Sequence, residues 1–236
     1  MAQGRDSQSL VQTAAAEVCC SETWEEAYQR FETPEEECRK FGRRLSLLGA
    51  TRWPRDSEVV ELFCGRGNGL VALSRLGFQR LEGVDLSASL LGRYQGPARL
   101  YVADCRKLPF PSESKDVLIV QGGLHHLVKL PEDLQATLRE ASRVLRPGGR
   151  FVAVEPWLTP FLSFVHAACG VGLLRRAWPK LDALATMNDC ERPTYEQWLG
   201  RPDEVSAQLG AFFKKELRRT RWGKLFFVGR KGAAGS

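Results

Sequence analysis

The chain has 236 residues, 43% of them hydrophobic and 26% charged, with a formal net charge of +6. That length buries one sizeable core, and the composition excludes a disordered or fibrous class and leaves no room for a second full domain. The seven cysteines are odd in number and form no C-x-x-C pair or zinc-ligand spacing, which sets aside a disulfide framework and a metal centre and fits reduced thiols in a cytosol.

Residues 1–20 show no sustained periodicity and no positive segment followed by a long apolar stretch, so they read as a mobile leader rather than an export signal. Trp24, Tyr28 and Phe31 then fall on one helical stripe. A second helix start follows at Thr33-Pro34-Glu35-Glu36, with its stripe through Cys38, Phe41, Leu45 and Leu48 and Gly49 as its stop, so residues 21–50 are a pair of N-terminal helices. Short apolar runs at 58–63, 80–84, 98–103, 116–121 and 151–154 alternate with helical segments over a core at 51–156. That alternation predicts a doubly wound α/β fold with a parallel sheet covered on both faces. The clearest helix is LPEDLQATLREASRVLRPGG, with acids in its first turn and Leu134, Leu138, Ala141 and Leu145 on one side. Residues 157–210 follow as a helical insertion. FFKKELRRTRW and KLFFVGRK, joined through Gly223, predict an antiparallel hairpin within 211–236 that completes a mostly parallel seven-stranded sheet.

The strand at 58–63 runs into ELFCGRGNGL, where Gly65, Gly67 and Gly69 stand at the carboxyl end of the strand, the place where doubly wound sheets bind ligands. Glycines leave no Cβ in the way, so a ligand can approach the backbone and the free N–H groups of the following helix. Asp85 lies 20 residues after Gly65 at the end of the second candidate strand, where a carboxylate accepts bonds from a ribose diol. The loop reads G-x-G-x-G rather than the G-x-G-x-x-G of nicotinamide enzymes. Asp104, at the end of the third candidate strand, is placed to accept from an exocyclic amine such as that of adenine. Together these favour a nucleoside ligand without a pyrophosphate.

VVELFCGRGNG, LEGVDLS, VADCRKLPF, SKDVLIVQGGLHHL and LREASRVLRPGGRFVAVEP follow one another in order, and across 58–156 the chain resembles the class I S-adenosylmethionine-dependent methyltransferases, particularly the small-molecule branch that includes quinone-pathway enzymes. The resemblance implies S-adenosylmethionine as cofactor. It implies that Glu61, Cys64, Gly65 and Gly67 line its methionine end, that Asp85 and Leu86 hold its ribose, that Asp104 and Cys105 flank adenine, and that Gln121 faces the site. The chain departs from the family at Phe63, where a glycine is usual. LFCG is also similar to some nucleic-acid methyltransferases, but QGGL stands where those acting on base amines carry an Asn/Asp-Pro-Pro-aromatic motif.

Methyl transfer from a sulfonium asks the protein mainly to position the partners and exclude water, with a base only for a weakly acidic nucleophile. His126 is the candidate base, with His125 beside it, and Glu155 and Trp157 are candidates for acceptor binding. LTPFLSFVHAACGVGLL has only His166 as an ionisable group; it is short for a membrane span and reads as a lid over an apolar acceptor pocket walled by Trp178, Tyr195 and Trp198. From Lys214 to Lys231 eight basic residues face one acid, a defence of a sheet edge against strand pairing before it is a nucleic-acid surface. The expected function is a cytoplasmic methyltransferase of a small organic acceptor. An RNA or protein methyltransferase docking through the basic hairpin, and a cofactor-binding scaffold without turnover, are the alternative readings.

Overall fold

A computed structural model describes residues 11–12 and 22–232. In chain order the elements are β1 (Val11–Gln12), α1 (Glu22–Phe31), α2 (Pro34–Leu47), β2 (Glu58–Leu62), α3 (Asn68–Arg75), β3 (Arg80–Asp85), α4 (Ala88–Leu91), β4 (Arg99–Val102) and β5 (Lys115–Gln121). There follow α5 (Glu132–Val144), β6 (Leu145–Pro156), α6 (Pro160–Cys169), α7 (Gly172–Ala177), α8 (Pro179–Cys190), α9 (Arg192–Leu199), α10 (Pro202–Phe212), β7 (Lys214–Arg221) and β8 (Lys224–Arg230). One sheet runs β1-β4-β3-β2-β5-β6-β8-β7. β8 is antiparallel to both β6 and β7, and the other pairings are parallel. Seven strands fall where the sequence places them, except that β6 begins at Leu145, which the sequence reading put on the preceding helix, and includes the Pro-Gly-Gly expected as the helix stop. The two-residue β1 extends the far edge from within the expected leader, the rest of which lies outside the described residues.

Alternation along β2 divides the core between two helical layers. Val60 and Leu62 face Leu134, Leu138 and Ala141 of α5 and Val205 and Leu209 of α10, whereas Val59 faces Phe41 and Leu45 of α2 and Leu70 and Leu73 of α3. The expected insertion therefore divides: α6 to α9 lie beyond the carboxyl ends of the strands, while α10 belongs to the layer packed on α5. Trp198 in α9 is fully buried and its indole N–H donates to the Pro156 carbonyl at 2.9 Å, fastening the insertion to the end of β6. The terminal hairpin turns through Trp222 (φ 51°) and Gly223 (φ 70°), two successive left-handed residues whose twist matches the flanking strands.

The N-terminal helices are joined to the glycine loop by charge. Thr33 caps α2 with a full capping box, its hydroxyl accepting from the Glu36 N–H and the Glu36 carboxylate accepting from the Thr33 N–H. One turn on, Glu37 is buried and accepts from Arg66 Nε at 3.2 Å, Arg66 Nη2 at 3.0 Å, Asn68 Nδ2 at 2.8 Å and the Tyr28 hydroxyl at 2.6 Å. Arg66 also donates to the Glu32 carbonyl and lies over the Tyr28 ring. Glu37→Ala leaves a buried guanidinium without its carboxylate, which costs about 3–5 kcal/mol. Urea denaturation of the variant is expected to show that loss, and a loss below about 1 kcal/mol would show that Glu37 does not hold the helices to the loop.

Candidate cofactor and acceptor site

The turn after β2 is built on left-handed backbone at Phe63 (φ 54°), Gly65 (φ 52°) and Gly67 (φ 78°). At Phe63 this conformation is uncommon for a bulky side chain, and such a residue stores about 1–3 kcal/mol that the surroundings must offset. The offset is visible in Gly123: a Cβ there would come within 2.2 Å of Phe63 Cγ, so the phenyl ring occupies the space that Gly123 leaves empty. The chain thus keeps a glycine-like turn at Phe63 and takes its room from the neighbouring loop. A Cβ at Gly67 would meet Tyr94 at 2.3 Å, whereas one at Gly65 would meet only Leu90 at 4.0 Å, so the open side of the loop lies over Gly65.

Asp85, at the end of β3, accepts from the Gly65 N–H at 2.7 Å and from the Ser87 N–H at 2.9 Å, one on each oxygen. The carboxylate thereby ties the glycine loop to the end of β3. Leu86 follows it, half-buried. Glu61 is buried beneath the loop, with Gln121 Nε2 at 3.4 Å from Oε1 and a Cβ at Gly69 excluded at 1.9 Å from the same oxygen. Glu61 Oε2 and Gln121 Oε1 are buried without hydrogen-bond partners. Burial pushes the Glu61 carboxyl up to about 8, against a smaller lowering from Gln121. Cys64 packs its sulfur against Gly83, and burial, then Asp85 and Glu61, hold its thiol well above the ordinary range, so it is a packing residue and not a nucleophile.

Asp104 is placed differently from a free adenine acceptor. Arg106 Nε lies 3.0 Å from both of its oxygens, Arg106 Nη2 lies 2.6 Å from one, and the Arg106 N–H donates at 2.8 Å. Burial would raise its pKa, but the Arg106 bonds outweigh that and lower it. An amine at this place would share the carboxylate with a guanidinium. Cys105 is buried with its sulfur 3.5 Å from the Thr137 hydroxyl, and burial lifts its thiol to about 12.

A second polar cluster stands beyond β5 and β6. Glu155 is fully buried and accepts from the Gly123 and Leu124 N–H groups and from His125 Nδ1 at 2.8 Å, so it shapes the histidine loop and reaches an acceptor only through His125. Trp157 is buried in the larger core cluster with the Arg218 guanidinium over its ring, rather than standing in an open wall. From the insertion, Glu191 comes to 3.7 Å from His125 Nε2 and 3.4 Å from His126 Nδ1, and accepts from the Trp24 indole at 3.0 Å. Burial pulls the His125 imidazolium down, but Glu155 and Glu191 outweigh it and raise its pKa to about 9. Burial would raise Glu191, but the two histidines and Trp24 bring it to about 2. His125, His126 and Glu191 hold ligand atoms within 4.8 Å of one another and form the one group among the described residues able to hold a metal ion; the His125 imidazolium already supplies a positive charge there.

The sequence reading singles out Glu61, the loop glycines, Asp85 and Gln121, and the fold brings all of them to one place. It gives no role to Glu37, Arg66, Tyr94 or Glu191, whose partners lie far away in the chain.

With this geometry in place, residues 60–153 match the family described as methyltransferase domain. The ubiquinone/menaquinone biosynthesis C-methyltransferase UbiE of Syntrophotalea carbinolica is 35% identical over 48% of this chain and 47% of its own length. The demethylmenaquinone methyltransferase of Mycobacterium marinum is 29% identical over 63% of this chain and 62% of its own. The chain spans about half the length of most of the curated relatives it matches. Among solved structures, the PH0226 protein of Pyrococcus horikoshii superposes with a TM-score of 0.67 at 18% identity, covering 90% of this chain and all of that one. A SAM-dependent methyltransferase of Methanosarcina mazei gives 0.53 at 17%, covering 79% and 97%. Residues 60–153 are thus similar to methyltransferase domains, and the fold around them is that of solved proteins which include S-adenosylmethionine-dependent methyltransferases.

The raised pKa of His125 fixes a sign for stability. Its contribution is fully present below pH 6.5 and is lost as pH rises through about 9. His125→Gln is therefore expected to show a shallower fall of the denaturation midpoint between about pH 7 and pH 9 than the wild type. Parallel curves would show that the imidazolium is not held by Glu155 and Glu191.

Proposed function

We propose that the protein transfers a methyl group from S-adenosylmethionine to a small, apolar organic acceptor in the cytoplasm. One observation carries the cofactor side: a bare left-handed loop, tied by its Gly65 N–H to Asp85, over a buried Glu61 whose second oxygen has no partner. That orphaned oxygen and the open space over Gly65 fit an aminoacyl group carrying an ammonium, and Asp85, at the end of β3 beside the loop, is the carboxylate that a ribose diol needs. When bound, the cofactor supplies an activated methyl on a positive leaving group. The residues of this chain bind it, orient the acceptor and exclude water.

On the acceptor side, His125 is held as an imidazolium between two carboxylates and cannot take a proton at neutral pH. His126, edge-on to Trp24 and tilted against the His125 ring, is the residue left to act as base. A cleft of about 600 Å³ between the insertion helices has an apolar wall at Leu158, Tyr195 and Leu199 and charged groups at Arg175, Asp189, Arg192 and Glu196, which suits an amphipathic acceptor with an apolar part. The quinone-pathway names of the curated relatives support the same acceptor class.

Calorimetric titration with S-adenosylmethionine is expected to show binding that Asp85→Ala weakens by about 1–3 kcal/mol. Unchanged affinity would contradict the ribose assignment. Labelled methyl transfer into a metabolite extract is expected to mark an apolar product, with His126→Ala slowing turnover while cofactor affinity is kept. Full turnover in that variant would remove His126 as the base.

A further inference from the structure

Of the ten exposed large hydrophobic side chains among the described residues, eight fall at positions 158–178 or at 222. α6 buries none of its ten residues and α7 none of its six. Phe164 is 72% exposed, Leu173 77%, Trp178 60% and Trp222 62%. These side chains form one surface: Phe161 meets Trp222 at 5.2 Å between ring centroids, Leu162 packs over Gly223, and α7 lies against both α6 and α8. A contiguous apolar surface of this kind marks an interaction site.

Its border is basic. α6 and α7 carry no acidic residue, and α7 ends in Arg175 and Arg176. β7 presents Arg219 and Arg221 beside the same turn, with the Arg221 guanidinium over the Trp222 ring. Arg176, Arg219 and Arg221 have no carboxylate partner among the described residues, unlike Arg175, which pairs with Asp182 and Asp189. A sheet-edge defence accounts for charge on β7, but not for the aromatic and aliphatic side chains that the charges surround.

We propose that the α6–α7 face and the β7–β8 turn form a docking surface for an anionic lipid membrane. Phe, Leu and Trp side chains enter the headgroup layer, and the guanidinium collar meets lipid phosphates and carboxylates. No described helix is long and apolar enough to cross a bilayer, so these short helices lie in the interface plane. Pairing with a second copy through the same face would bring two guanidinium collars into one interface, where α6 and α7 of either copy offer no acidic residue to meet them. The cleft behind α6 is lined by Leu158 and His166, so the docked face adjoins the space assigned to an apolar acceptor. The surface itself does not depend on what that acceptor is.

The test is co-sedimentation of the full chain with phosphatidylcholine vesicles, with and without phosphatidylserine. Binding is expected only with phosphatidylserine and is expected to weaken as salt is raised. Phe164→Glu combined with Leu173→Glu, both at exposed positions, is expected to lower partitioning roughly tenfold or more with circular dichroism and cofactor affinity unchanged. Arg219→Glu with Arg221→Glu is expected to remove the dependence on phosphatidylserine. No sedimentation at low salt, or equal binding to neutral and anionic vesicles, overturns the proposal. So does light scattering that shows a dimer which Phe164→Glu converts to a monomer, because the face is then an interface between copies.

Discussion

A carboxyl group buried without its full set of partners is the constraint around which the ligand end of this protein is arranged. Glu61 is the penultimate residue of β2, in the interior of the parallel set, and its neighbours are shaped by its presence. Gly69 has no side chain because a Cβ would lie 1.9 Å from Glu61 Oε1, and Gln121 reaches across from β5 with one bond while its own oxygen goes unmet. Two unsatisfied oxygens at one buried spot are costly to a folded protein, each at about 1–3 kcal/mol, and such a cost persists where a ligand offsets it. The opened loop beside them, with Asp85 fastening Gly65, puts the missing donor where a cofactor would bring it.

Two further carboxylates connect this centre to its covers. Glu37 gathers Arg66 and Asn68 from the loop with Tyr28 from α1, so the N-terminal helices are fastened to the glycine loop. Glu191 gathers His125, His126 and Trp24, joining the insertion, the β5–α5 loop and α1. Because Glu155 holds His125 from beneath, the imidazolium is a bridge between the sheet and the insertion as much as a site residue.

How much of this was legible in the sequence follows from the range of the forces involved. Strands from 58 to 154 and the terminal hairpin were readable because apolar runs bounded by Gly, Pro or Asp are local patterns, and the positions of Gly65, Asp85 and Asp104 at strand ends follow from that register. The capture of Asp104 by Arg106 is only two residues long, yet it depends on the rotamer of a flexible side chain, also drawn by Asp133. Glu37 had no role in the sequence reading, because its burial and its hold on Arg66, 29 residues away, are tertiary. Phe63 stood out as the residue in a glycine's place, but the accommodation lies in Gly123, which no local pattern connects to it. α10 has the composition of the helices before it, and only packing on α5 separates it from them.

The central claim is that Glu61 waits, protonated, for the positive end of the cofactor. Titrating S-adenosylhomocysteine near neutral pH in buffers of different ionisation enthalpy measures the protons exchanged on binding. A carboxyl pushed up to about 8 in the free protein that meets an ammonium on binding is predicted to release a proton, and Glu61→Gln is predicted to abolish the release. Tight binding with no proton release, or the same release from Glu61→Gln, would contradict it.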